Sequence, residues 1–345
     1  MDKFVCLRMI QMNGVDLAQF QFDFDMSFAV FFMNADGTIY GRYGTRNSRP
    51  PEADKDISLQ GLRAAMEAAA ALHQGYPGNA DSLKAKIGPA PKYASAELYP
   101  QMRNYTPKIN YQNQVAKSCI HCHQIHDAER QMLRDANKPI PDEILYLYPM
   151  PQVVGLELDS TKRAAVTRVE PGSAAAAAKL KPGDEILSAA GQPLVSVADF
   201  QWVLHNTPAE GGSIPMKVRR AGQEGDVTLD LKEGWRKKSD FGWRVSTWDL
   251  RRIALGGMIL VLDESGRAAA TGLEVKNVGK YGKHAVAKNA GVRQGDKLVS
   301  IAGLSSKSTE AEVIAHIMNT TRKGQQIPVV VRRGGKEIEV QMRTQ

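Results

Sequence analysis

Cysteine is scarce in this chain, with three in 345 residues. Two fall in one hexapeptide, Ser118-Cys119-Ile120-His121-Cys122-His123, and the third, Cys6, is unpaired by count. There is no second Cys-x-x-Cys, so a four-thiolate zinc site cannot be built. No run of about 18 apolar residues occurs, so no segment reads as a membrane-spanning helix. Gly-x-Ser-x-Gly is missing and the seven histidines lie in the wrong contexts for a protease triad. Phosphate-cradling glycine loops are missing too. The net charge of +8 and pI of about 9.3 would suit an anionic partner. However, the basic residues are dispersed in pairs such as Arg219-Arg220, Arg251-Arg252 and Arg332-Arg333, with no basic run interleaved with aromatics. Nucleic acid is therefore not expected as a partner.

What is present centres on Cys119-Ile120-His121-Cys122-His123. Cys-x-x-Cys-His is the attachment signature of c-type haem: two thiolates add to the vinyl groups and the following histidine ligates the iron. In this reading Cys119 and Cys122 hold haem c, His123 is the proximal ligand, and Met132 or Met150 takes the sixth position. His126 lies one turn away on the same segment and hardly reaches the opposite haem face. Two other readings stay open. Cys119 and Cys122 can form a redox dithiol without haem, or half of a zinc site with His121, His123 and His126.

The first 75 residues alternate between strand and helix signals. Residues 4–10 read as a strand, with Cys6 as a buried small side chain. The apolar run Phe28 to Met33 suits a central strand, Asn34-Ala35-Asp36-Gly37 is a turn, and Thr38 to Tyr43 returns as a hairpin strand. Ser58 to Gln74 carries apolar residues at helical spacing and ends at Gly75. Phe28-Ala29-Val30-Phe31-Phe32-Met33-Asn34-Ala35-Asp36-Gly37-Thr38-Ile39-Tyr40 resembles the central strand and hairpin of thioredoxin-like folds. The resemblance implies that the first strand, first helix and redox motif of that fold would precede Met1, so the N-terminus is expected to be incomplete. No signal peptide is visible at the start. Residues 76–117 are rich in breakers and read as an irregular wrap. Asn113 to Asn137 reads as helix, broken near the cysteines.

The C-terminal half is an internal duplication. Leu180-Lys181-Pro182-Gly183-Asp184-Glu185-Ile186-Leu187-Ser188 recurs as Val292-Arg293-Gln294-Gly295-Asp296-Lys297-Leu298-Val299-Ser300, and Gly191 matches Gly303. Helix patterns over Val197 to Leu204 and Thr309 to Met318 follow, then strands at 226–231 and 336–342. With Glu170-Pro171-Gly172-Ser173-Ala174-Ala175, this repeat resembles two PDZ domains of the type found in bacterial high-temperature-requirement proteases. Such domains accept a peptide as an added edge strand, and a loop before that strand holds the terminal carboxylate. The resemblance implies peptide binding at Val154, Gly155, Leu156 and Leu158, with Trp202 on the groove wall. In the second copy two stretches compete for the loop, Phe241-Gly242-Trp243-Arg244 and Gly256-Gly257-Met258-Ile259.

The expected architecture is α+β and multidomain: a truncated thioredoxin-like α/β domain over 1–75, an irregular linker with a helical CxxCH segment over 76–150, and PDZ domains over 151–236 and 237–345. The arrangement resembles bacterial thioredoxin-like proteins fused to tandem PDZ modules, some of them selenoproteins. It implies a periplasmic or otherwise extracytoplasmic electron-transfer protein that docks C-terminal peptides or protein partners through its PDZ domains. The alternatives are a non-catalytic peptide-binding scaffold and a thiol oxidoreductase without haem.

Overall fold

The computed structural model describes residues 3–45, 55–112, 114–264 and 269–345. The strands are β1 (Val30–Met33), β2 (Ile39–Tyr43), β3 (Leu156–Leu158), β4 (Val166–Val169), β5 (Glu185–Ala189), β6 (Gln192–Pro193), β7 (Gly211–Arg220), β8 (Gln223–Lys232), β9 (Met258–Leu262), β10 (Leu273–Val278), β11 (Lys297–Ile301), β12 (Gln326–Arg333) and β13 (Lys336–Arg343). The helices are α1 (Leu59–Gln74), α2 (Ala80–Leu83), α3 (Val115–Ser118), α4 (His123–Asp135), α5 (Asp142–Leu145), α6 (Ala174–Ala177), α7 (Val197–His205), α8 (Thr247–Leu255), α9 (Val286–Ala290) and α10 (Glu310–Thr320). They form two compact units. The first is Met1–Cys122 with Tyr146–Ser239, and the second is His123–Leu145 with Asp240–Gln345.

In the first unit, β1 and β2 form an antiparallel hairpin closed by the expected turn, where Asn34 N–H donates to Thr38 O at 2.8 Å and Gly37 takes a φ of +91°. Helix α1 starts at Ser58, whose hydroxyl accepts from Gly61 N–H at 2.9 Å and so satisfies one of the open amides of the first turn. Its small buried face, Ala65, Ala68 and Ala69, lies against Phe32, Tyr40 and Tyr43. Residues 4–10 form no strand. Val5 is 92% and Leu7 91% exposed, and Cys6 is exposed rather than buried. The alternation there is local only, and the sheet has two strands among the described residues. The wrap that follows is made of turns and short helices, as expected, and the helical stretch breaks between α3 and α4. Asn113, the expected start of that stretch, lies outside the described residues.

The rest of this unit is a small β module. Strands β3 and β4 pair with each other, and a second sheet runs β6-β5-β7-β8. Leu156, Val166, Ile186, Phe200, Leu204, Ile214, Met216 and Leu229 fill the space between them and α7, each at most 4% exposed. Burial of each such side chain contributes about 1.5–3 kcal/mol. Asp184, in the Pro-Gly-Asp turn, takes two bonds of 2.7 Å from Arg220 at the end of β7 and one of 2.9 Å from Lys181 N–H.

The second unit repeats this order: strand, strand, short helix, strand, long helix, strand, strand (β9, β10, α9, β11, α10, β12, β13). Here all five strands join one sheet, β13-β12-β11-β10-β9. Asp296 takes two bonds of 2.6 Å from Arg333 and one of 2.8 Å from Arg293 N–H, the same clamp at the same place. The added helix α8 precedes β9 and buries Leu250, Ile253, Ala254 and Leu255.

Candidate functional site

The site begins with the short turn Pro151–Val154 and Gly155, which adopts φ +83°. A Cβ at Gly155 would lie 2.1 Å from Ser173 Cβ, so only glycine fits. Gly155 N–H bonds back to Gln152 O at 3.0 Å, and Gly155 O accepts from Glu170 N–H at 2.9 Å. Four residues after Gly155, Asp159 N–H donates to Ala165 O, which also lies on the β4 side. Backbone groups alternate along a strand, so Glu157 faces β4 while Leu156 and Leu158 present N–H and C=O on the other edge. Among the described residues that edge has no strand partner, because the β3–β4 sheet ends there.

Leu156 is fully buried in the module core and Leu158 packs against the core while partly exposed. Val154 is buried beneath the turn. The expected set of Val154, Gly155, Leu156 and Leu158 is therefore brought together, with one correction of detail. The N–H of Gly155 is spent within the turn, so Leu156 N–H is the first donor that faces outward.

Trp202 is not on the groove wall. It is 1% exposed and donates through Nε1 to Ala85 O at 2.9 Å, with the Arg42 guanidinium 3.9 Å from its ring. Residues 197 to 204 of α7 are all buried. Phe200, Val203 and Leu204 face the module core. The other faces are covered by the hairpin and the wrap. Arg42 N–H donates to Asp199 at 3.1 Å and Ser196 Oγ to Arg42 O at 2.5 Å. Lys86 Nζ lies 2.9 Å from Asp199 Oδ2, with both side chains fully buried. Thr45 Oγ1 donates to Gln201 Oε1 at 2.9 Å. Sequence reasoning missed this network because the cover comes from residues more than 100 positions away, and only the ambivalence of a tryptophan on an amphipathic helix hinted at it.

The cysteine segment shows a different picture. Cys119 closes α3, Ile120 is fully buried with its N–H on Asn13 Oδ1 at 2.8 Å, and Cys122 immediately precedes α4. Both thiols are partly exposed and form no disulfide. His123 opens α4 with Nδ1 3.4 Å from Asp127 Oδ2, and buried His126 turns its Nδ1 to Glu129 at 3.2 Å. The two candidates for a sixth iron ligand do not fit that role. Met132 lies nine residues along the same helix from His123, about 13 Å along its axis. Met150 is buried with its sulfur accepting from Gln201 Nε2 at 3.3 Å and lying 3.1 Å from Thr45 Oγ1.

A protein-family model for the PDZ domain matches residues 150–219. These residues are a PDZ domain. A probable periplasmic serine endoprotease, DegP-like, from Halomonas elongata is 28% identical over 188 residues, covering 54% of this chain. The chain spans 38% of the length of that relative. Among solved structures, the HtrA-type protease AlgW with a decapeptide is 17% identical with a TM-score of 0.23, covering 38% of this chain and 48% of its own. The serine endoprotease from Yersinia pestis is 15% identical with a TM-score of 0.20, covering 41% and 64%. Of the two stretches considered for a loop in the second half, Gly256-Gly257 leads directly into β9, with φ of +58° and +89°, while 241–244 forms a turn ahead of α8.

Proposed function

We propose that this protein is a peptide-binding scaffold which captures C-terminal segments of protein partners through its PDZ domain. The observation that carries the reading is the edge of β3, which has no strand partner among the described residues, in a domain matched as PDZ. An extended peptide adds to Leu156 and Leu158 as a further strand, and its terminal residue lies beside Val154 and Gly155. The second module, with the same element order and the same Asp–Arg clamp, is a second PDZ domain. The kinship with a relative named as periplasmic supports a place outside the cytoplasm.

Titration calorimetry with short free-acid peptides ending in Val, Leu or Phe tests it. Dissociation constants on the order of micromolar are expected, because such a groove buries few residues. Amidated peptides should bind more weakly. Leu158→Pro removes the outward N–H without touching the β4 ladder, as proline is tolerated at sheet edges, and should weaken binding by about tenfold or more. Unchanged binding by a folded Leu158→Pro protein would overturn strand addition.

A further inference from the structure

The two modules differ at one position that decides whether the edge strand can accept a ligand. Gly257-Met258-Ile259-Leu260 corresponds to Gly155-Leu156-Glu157-Leu158, because Gly257 O accepts from Gly279 N–H at 3.0 Å just as Gly155 O accepts from Glu170. Residues 257 and 263 bond towards β10, so Leu260 faces the outer edge of β9, as Leu158 does in β3. In the first module no described residue caps that edge. In the second, Leu260 N–H donates to Glu310 Oε1 at 2.8 Å.

Glu310 is the first residue of α10, directly after the N-cap Thr309. The residue in the same place in the first module, directly after the N-cap Ser196, is Val197, which has no acceptor to offer. Glu310 is held from a third element. Arg251 of α8 donates to it through Nε at 2.9 Å and also through Nη2, and the two side chains are only 8% and 10% exposed. Arg251 Nη2 also reaches Gly242 O at 3.2 Å. A buried carboxylate with a bidentate arginine is a well-fixed group, and its oxygen occupies the place where the carbonyl of an added strand would bond.

We propose that the second module is a closed groove, latched from within by Arg251–Glu310 across α8, α10 and β9, so that only the first module takes peptide. The proposal rests on the reading of both modules as edge-strand binders. Opening the latch converts the second module into a binding site. The test uses the full chain carrying Leu158→Pro, which silences the first groove, with and without the pair R251M/E310V. Replacing both charges with apolar side chains avoids leaving one buried ion alone.

Amide exchange read by NMR should show Leu260 N–H protected in the Leu158→Pro chain and unprotected in the chain that also carries R251M/E310V. Calorimetry with the same free-acid peptides should show binding gained by at least about tenfold on unlatching. A second variant, Glu310→Gln, keeps an acceptor and should retain the protection. Rapid exchange of Leu260 in the latched chain, or peptide binding there as tight as in the unlatched one, overturns the proposal. If the protection changes as described but no peptide binds any variant or the native chain, the latch stands and the peptide-binding reading is what fails.

Discussion

Lys86 is fully buried, with its ammonium 2.9 Å from Asp199 Oδ2 and 2.5 Å from Pro193 O. Burial lowers its pKa from 10.5 to about 8, and the attraction of Asp199 only partly offsets that. Between pH 8 and 10.5 the unfolded chain holds a proton at this lysine that the folded chain has released. Stability therefore rises with pH across that window. The stability difference between the native protein and Lys86→Met, measured by urea unfolding, should grow in favour of the native protein by about 3 kcal/mol from pH 8 to 10.5. A flat difference would contradict the burial. Nothing near Lys84-Ala85-Lys86 in the sequence marks one lysine as buried. Its neighbour Lys84 is exposed and paired locally with Asp81, and the distinction is made by α7, over 100 residues downstream.

Among the elements, the hairpin meets α7 at Gly41. A Cβ there would lie 2.1 Å from Val195 Cγ2 and 2.7 Å from Asp199 Oδ2. The first is a stiff β-branched side chain and the second is fixed by three hydrogen-bonding partners, so neither yields cheaply. Gly41→Ala should cost about 1–3 kcal/mol by overpacking, read as a lowered urea midpoint, while Gly222→Ala, with nothing within 4 Å of its Cβ, should show only the smaller strain of its positive φ. Equal losses would mean that the hairpin does not press on the helix. The hairpin, α1, α7 and α10 were legible in the sequence because apolar periodicity and turn residues act within a few positions. Residues 4–10 misled because alternation describes a strand's faces but not whether a neighbour exists to pair with it. The repeat was legible because Gly183-Asp184 and Gly295-Asp296 serve the same turn and the same arginine clamp in each copy.

Across the first unit, the match to a family model begins at residue 150, yet the fold does not. Residues 40–45 and 85–86 complete the surroundings of α7. Cleavage at the exposed Arg103 or Lys108 should leave residues before the cut attached under native conditions, held by Lys86–Asp199, Trp202–Ala85 and Arg42–Asp199. Size-exclusion chromatography should show the pieces eluting together in buffer and apart in urea. Separation in buffer would show that the two parts fold independently. The grouping was not legible because each contact is carried by one or two residues with no local pattern. A helix with no solvent-facing side also restricts how such a chain can be inherited. In the second module the places of Asp199 and Trp202, counted from the helix cap, hold Glu312 and Ala315. A recombination that copied the second module over the first would thus deliver a helix without the indole on which Arg42 and Ala85 rest. The hairpin and α7 can change only in concert, and the two modules, though alike in outline, are not interchangeable in descent.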